Sequence, residues 1–441
     1  MKDDILVKKA KNLLSLITIN LAVTFLCLES LSLAFYFINH KTFFYTRGKT
    51  QEKIVTDLER TGVRLDESIV ERLHPFFGYV LKQGAFTNEQ LGLKVNRHGF
   101  FSLYEYPFVK KDKNQFIVAI FGGSVANNFA IDEYVTKRFS QKLKSFPEFA
   151  NKEIIILNFA NGGYKQPQQL LILNYFLALG QEFNMVVNID GFNEVALSNL
   201  NNKAQVDVGM PSVQHIQPLT GLANNSLSPE VMNSIVKITE TKKQLRETIN
   251  NLDTCKLALC YTMRSFQLKR LVEDYQKQIV AYDQNVKQSN ATDGKNNIVY
   301  IPKAKAVLDD AAAFEKMVAV WSESSLMMKQ LLAKRSIKYF QFIQPNQYYP
   351  TKRVFTEEEK RLYLSPDSPY SAAVKRGYPL LLSQAEVLQK VKLNIFSAVN
   401  ILDNTKETVY KDACCHYNET GDEILATYIS SSIVQRLREE K

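Results

Sequence analysis

The sequence predicts an α/β fold, with helices on both sides of a mostly parallel sheet, an N-terminal transmembrane helix and a helical insertion. Three observations predict it. First, short and wholly apolar runs recur: FIVAIFG (116–122), IIILN (154–158), MVVNID (185–190) and IKYFQFI (337–343). Continuous apolarity over so short a length suits strands buried on both faces. Second, helical stretches separate them, at 133–146 and 166–180. Alternating buried strand and helix builds a parallel sheet with helices on both faces. Third, residues 13–38 read LLSLITINLAVTFLCLESLSLAFYFI, 26 residues with the single charge Glu29.

A bilayer core needs roughly 20 apolar residues in a helix, whereas a cleaved signal has an apolar region of about 7–15. The run at 13–38 exceeds the second figure and ends in aromatic residues, so an uncleaved anchor is expected. Lys2, Lys8, Lys9 and Lys11 precede it, and Lys41, Arg47 and Lys49 follow. The basic cluster before the span favours an N-terminus inside and the remaining chain outside the cytoplasm. Residues 1–44 are therefore the anchor and 45–114 a lead-in, charged and helical or linker-like at first. The lead-in carries an aromatic run, LHPFFGYVL (73–81). Residues 115–441 form the main domain. A helical insertion occupies about 200–335, comprising a polar surface loop at 200–227, helix over 228–288, and a further helix over 305–334 that includes Trp321. A cover for the sheet and a cap over a substrate are both open readings of it.

Composition narrows the class. The chain has 441 residues, 45% of them hydrophobic and 23% charged, which is globular composition. Its net charge of +10 includes +4 from the first 50 residues, seven Lys/Arg less three Asp/Glu, so part of it belongs to membrane flanks. The basic residues are spread without an aromatic-interleaved face, so no nucleic-acid partner is expected. Of five Cys, Cys27 lies in the span. Cys255, Cys260, Cys414 and Cys415 remain in a compartment where disulfides persist. The adjacent Cys414 and Cys415 do not easily bridge to each other, and a link from one of them to the Cys255/Cys260 pair is the arrangement considered.

In parallel sheets chemistry gathers in the loops at the carboxyl ends of strands. Ser124 stands in FGGSVA after the first strand, where a Gly-Gly turn into a helix exposes the hydroxyl beside a helix N-terminus. Gly163, in NFANGGYKQPQQ after the second, lets a backbone N–H approach a ligand. Asn193, in DGFNE after the third, offers an amide to a developing oxyanion. Near the C-terminus DACCHYNETGDEILA supplies His416 as a base and Asp412 to orient it. Taken singly, such residues are turn formers or caps. His40 borders the span, and His74, His98 and His215 lack neighbours in sequence that suggest chemistry. No zinc-type ligand spacing and no phosphate-binding P-loop is present, so neither metal nor cofactor is expected.

Together these four segments resemble the signature blocks of the SGNH/GDSL hydrolase family. They correspond to Ser124 in GGS, Gly163 in NFANGGY, Asn193 in GFN and His416 in DACCHYN. The resemblance covers about 115–200 and 335–435. It is nearest the membrane-anchored bacterial branch, in which GGS replaces GDS and the lead-in carries an HPFFGY-like segment. It implies a flavodoxin-like three-layer α/β/α sandwich. The chain departs from the pattern twice. Gly123 stands where the family's Asp does, and Asp412 lies four residues before His416 instead of three, leaving Asp403 as a second candidate partner or a Ser–His dyad.

The resemblance implies acyl transfer from an O-acylated substrate, carbohydrate esters among them. Ser124 attacks the carbonyl, His416 shuttles the proton, Asp412 fixes the imidazole, and Ser124 N–H, Gly163 N–H and the Asn193 amide form the oxyanion hole. Water as acceptor gives an esterase and a sugar hydroxyl an O-acetyltransferase. An inactive polysaccharide-binding or assembly component remains a third reading.

Overall fold

The structure is a computed structural model that describes residues 2–48, 54, 55, 58, 70–225, 228–290, 299–301, 306–365 and 368–440. The lead-in expectation for 49–69 falls almost wholly outside these residues. The chain divides into two compact units, Met1–Ser68 with Leu222–Ile298, and Ile69–Gly221 with Val299–Lys441. The insertion expected at about 200–335 is thus split: 222–298 folds with the anchor segment, and the rest folds with the sheet.

In chain order, α1 (Lys2–His40) is followed by strands β1 (Glu71–His74), β2 (Gly78–Leu81), β3 (Thr87–Asn88), β4 (Leu93–Val95), β5 (Phe101–Ser102) and β6 (Gln115–Gly122). Next come α2 (Ser124–Ile131), α3 (Glu133–Leu143), β7 (Glu153–Asn158), α4 (Gln168–Ala178), β8 (Met185–Asp190), α5 (Phe192–Lys203) and α6 (Val213–Asn225). The insertion contributes α7 (Pro229–Leu252) and α8 (Ala258–Asn290). The chain closes with α9 (Asp310–Ala333), β9 (Lys338–Ile343), α10 (Glu357–Leu362), α11 (Ser371–Lys390), β10 (Ile395–Ser397) and α12 (Glu419–Glu439).

The main sheet is five-stranded, parallel throughout, and ordered β10-β9-β8-β6-β7. Counted from β6 as the first strand, this is the order 2-1-3-4-5 of a flavodoxin-like sandwich. Every residue of β8 is buried, as is all of β6 after Gln115. That is why these strands read as short, largely apolar runs. Helices α3 and α12 pack together in one layer, and α4, α5, α9 and α11 in another. Two buried polar groups stitch the core. Asp190, at the end of β8, accepts from Trp321 Nε1 (3.0 Å), Gln341 Nε2 (2.7 Å) and Asn188 Nδ2 (2.8 Å). Burial pushes its carboxyl well above the usual range. Arg353 and Glu359 form a fully buried pair at 2.8 and 2.9 Å, whose spare hydrogens go to the Leu402, Thr405 and Glu407 carbonyls.

The lead-in from Ile69 onward belongs to this unit. The segment LHPFFGYVL is not one strand. It is the β1–β2 hairpin, closed by His74 Nδ1 accepting from the Phe76 and Phe77 N–H groups. The expected loop at 200–227 is also different. Its second half forms α6, because Val213, Ile216 and Leu219 recur on one face, with Ile216 and Leu219 buried. Asn201 Oδ1 accepts from the Val213 N–H at its start (2.8 Å). Gln214 and Gln217, between these apolar residues, are exposed.

In the other unit, Leu14–His40 of α1 is long and apolar enough to cross a membrane. Its one charge, Glu29, is buried and accepts from the Ala258 and Leu259 N–H groups (2.8 Å each) at the start of α8. A carboxylate there complements the helix N-terminus. Tyr36, Phe44 and Tyr261 meet edge to face beside it, with the Arg47 guanidinium 3.8 Å from the centre of the Phe44 ring. The helical stretch 228–288 is two helices, and the turn between them carries a disulfide joining Cys255 to Cys260 (S–S 2.11 Å). This corrects the pairing considered from the sequence, in which one of these bonded to Cys414 or Cys415. Cys414 and Cys415 are free thiols. The two partners close a short local loop, which needs no long-range meeting of chain segments.

Candidate active site

The strand order has a direct consequence for where a site can form. The connection after β6 leads outward to β7, and the chain then crosses back to β8 on the other side of β6. A crevice opens at the carboxyl ends of two strands whose connections diverge in this way. Ser124 follows β6 and Asn193 follows β8, so both flank that crevice.

Ser124 is the first residue of α2, where the N–H groups of the first turn lack intrahelical partners. Its Oγ lies 2.6 Å from His416 Nε2. His416 Nδ1 in turn bonds to Asp412 Oδ2 in a short contact. With Nδ1–H donating to the carboxylate, Nε2 is the nitrogen free to accept the serine proton. The four-residue spacing of Asp412 and His416 is absorbed in a tight turn. Asp412 Oδ1 accepts from the Cys414 (2.8 Å), Cys415 (3.0 Å) and His416 (3.3 Å) N–H groups, which leaves Oδ2 for the ring. Burial opposes ionisation of Asp412, but these N–H donors and His416 outweigh it and hold its pKa down to about 2. Asp403 accepts from the Lys352 N–H instead (3.4 Å) and takes no part in these bonds.

The turn is cradled by the loop after β9. Asn346 Nδ2 donates to the Cys414 carbonyl (3.0 Å), Gln347 Nε2 to that of Asp412 (3.0 Å), and Tyr348 Oη to that of Ala413 (2.8 Å). Tyr410 and Tyr417 pair across its base, and the Tyr417 hydroxyl donates to the Pro345 carbonyl. None of Asn346, Gln347 and Tyr348 carries a sequence signal for this role, since each acts on main chain 65 to 68 positions away.

Asn193 Nδ2 donates to the Tyr164 carbonyl (2.8 Å) and lies against Gly123. A Cβ on Gly123 would stand 2.1 Å from that nitrogen. Glycine at 123 thus leaves room for the close seat of the Asn193 amide. Gly123→Ala is expected to displace the amide and, on the hydrolase reading proposed below, to lower kcat for ester hydrolysis by about 10²–10³-fold, the effect of losing one oxyanion donor. Steady-state kinetics check this, and a kcat within threefold of the parent, a margin of about 0.7 kcal/mol, would show that Asn193 is not displaced.

Gly163 has φ +73°, and a Cβ there would meet His215 Nε2 and Cδ2 at 2.3 Å and Tyr79 Oη at 2.6 Å. Both the conformation and the space demand glycine. The lead-in braces this loop: Tyr79 Oη donates to the Gly162 carbonyl (2.7 Å), Tyr164 Oη to that of Tyr79 (2.6 Å), and Gln168 Nε2 to that of Phe77 (2.7 Å). The HPFFGY segment thus shapes the Gly163 turn from outside the sheet. His215 has neighbours that its place in the sequence does not suggest. Its ring stacks on Tyr79 (centroids 5.1 Å, 5°) and its Nδ1 bonds Glu71 Oε1 at 2.8 Å. A second His–carboxylate pair therefore abuts Gly163.

Beneath these loops, Glu194 accepts from the Gly191 N–H (2.8 Å) and the Gln166 N–H (3.2 Å), which ties the Asn193 helix to the Gly163 loop. Lys165 is fully buried and donates to the Val208 carbonyl. Burial lowers it to about 7 against the opposing pull of Glu194 and Asp207. Further along α2, a cavity of about 490 Å³ is lined by Asn128, Asp132, Tyr134, Lys411 and Asp422 among others. Burial raises Asp422 to about 7 there, opposed by Lys411 and His416.

No family model and no curated protein matches the chain. Among solved structures, it is similar to the lipase/acylhydrolase from Enterococcus faecalis at 10% identity, covering 73% of this chain and 96% of that one with a TM-score of 0.34. It is also similar to the lipase Lip_vut3 from a goat rumen metagenome at 8% identity, covering 72% and 97% with a TM-score of 0.27.

Proposed function

We propose that the chain is a serine-dependent ester hydrolase that works through an acyl-enzyme. The observation that carries this reading is the continuous line from Ser124 Oγ through His416 to Asp412, built at the carboxyl edge of the sheet. His416 Nε2 takes the proton as Ser124 attacks an ester carbonyl, then returns it to the departing alcohol. The Ser124 and Gly163 N–H groups and the Asn193 amide stabilise the oxyanion. One such donor is worth about 3–4 kcal/mol of barrier. Water activated by the same His416 then releases the acid.

We propose that this chemistry lies outside the cytoplasm, with the N-terminus inside. The apolar length of α1, the lysines ahead of it and the Cys255–Cys260 disulfide support that placement. A second reading, transfer of the acyl group to a sugar hydroxyl, is favoured by the polar cavity beside Lys411 and Asp422, whose carboxylate, amide and phenol groups suit a carbohydrate.

The test is covalent labelling. The full-length protein in detergent is expected to react with a fluorophosphonate at Ser124, as read by peptide mass mapping. A protein that stays unlabelled there would be a binding component and the proposal would fail. Acetyl donor with and without oligosaccharide, read as free acetate or acetylated sugar, separates hydrolysis from transfer.

A further inference from the structure

The turn that presents His416 carries two thiols that the proposed chemistry does not use. Cys414 Sγ and Cys415 Sγ are 3.2 Å apart. Cys415 is 2% exposed, and Cys414 is more accessible. Their N–H groups are two of the three that hold Asp412 Oδ1. Any change in the Cys414–Cys415 peptide therefore acts on the carboxylate that orients His416. The sequence argues that adjacent cysteines do not readily pair, but the fold has already brought these sulfurs into contact.

We propose that Cys414 and Cys415 form a reversible dithiol–disulfide site, and that closing it moves Asp412 off His416 and silences Ser124. The oxidant is a small-molecule or protein disulfide, which the chain meets in any compartment where Cys255–Cys260 persists. The Cys414 thiolate attacks one sulfur of that disulfide, forms a mixed disulfide and expels a thiolate. The Cys415 thiolate then attacks Cys414 Sγ, forms the Cys414–Cys415 bond and expels the second thiolate. The two cysteine protons pass to the departing thiolates. The protein dithiol is thus oxidised by two electrons and the small disulfide is reduced to two thiols.

The order of attack follows from access. Burial and the neighbouring Cys414 hold the Cys415 thiol above the ordinary range, so Cys414 begins the exchange and Cys415 resolves it. Adjacent Cα atoms stand about 3.8 Å apart across a trans peptide, closer than most bridged pairs, and a bond under such constraint is readily reduced. A bond of this kind suits a switch better than a brace. The effect on activity rests on the proposed hydrolase function, whereas the bond itself does not.

The experiment treats full-length protein in detergent with oxidised glutathione, alkylates the remaining thiols, and maps the peptide that holds both residues. That peptide is expected unalkylated and lighter by two hydrogens. Hydrolysis of a small acetyl ester is expected to fall by about tenfold or more, because the residue orienting His416 is displaced. It should return on reduction. Cys414→Ser, compared with its own untreated sample, should keep its rate through the same treatment. Two alkylated sulfurs, or two separate glutathione adducts, would overturn the site. A closed bond with unchanged hydrolysis would overturn its coupling to Asp412. Reduced protein that hydrolyses no ester would refute the hydrolase reading, and the mass of the peptide would still decide the dithiol.

Discussion

Ser124→Ala is expected to lower ester hydrolysis by at least about 10⁴-fold, with labelling by fluorophosphonate lost and thermal stability little changed. The size follows from geometry. Among the described residues the hydroxyl is the nucleophile in contact with His416 Nε2, at 2.6 Å, and without it the imidazole has no alcohol to activate. Whatever rate survives would come from binding and the proposed oxyanion donors, main-chain N–H groups and the Asn193 amide, which the substitution leaves in place. The stability expectation follows because Ser124 is the first helical residue and Gly123 holds the cap position. Activity within tenfold of the parent would remove Ser124 from the nucleophile's role and leave the chain as a binding component.

Asp412→Asn is expected to cost about 10⁴-fold in kcat, with the backbone turn retained. The amide oxygen can still accept from the Cys414 and Cys415 N–H groups, but an NH₂ group then faces His416 Nδ1 and favours the wrong tautomer. A loss under tenfold would mean that a Ser–His dyad suffices. The pH dependence of stability tests Asp412 as well. Asp412 has its folded pKa lowered to about 2 from an ordinary 3.8. Its stabilising contribution is therefore fully present above about pH 4 and is lost as pH falls through the range down to about 2. Melting temperature measured against pH should fall through that range, and a flat profile from pH 4 down to 2 would show that these donors do not hold Asp412.

The comparison of sequence with structure divides along the range of the signals. Strands β6 to β9 are legible because their burial leaves mostly apolar residues over a short length. Ser124, Gly163 and Asn193 are legible as candidates because each sits within a few residues of a strand end, and the sheet topology alone carries them to one crevice. What is not legible is held by distance. Glu71 and His215 meet across 144 positions, and Asn346 and Gln347 act on main chain 65 or more positions away. The polar composition of 200–227 hides α6, since a half-buried helix needs only a few apolar residues on one face. The disulfide is hidden for another reason. Four cysteines permit three pairings, and spacing does not choose among them.

Glu29 sets a depth as well as a cap. From this residue to His40 the helix rises about 16 Å at roughly 1.5 Å per residue. The first turn of α8, with Cys260 in its disulfide, is carried alongside α1 to that level. A soluble fragment that begins at residue 45 would lose not a tether alone but the carboxylate that caps α8, and the Ala258 and Leu259 N–H groups would be left without that acceptor.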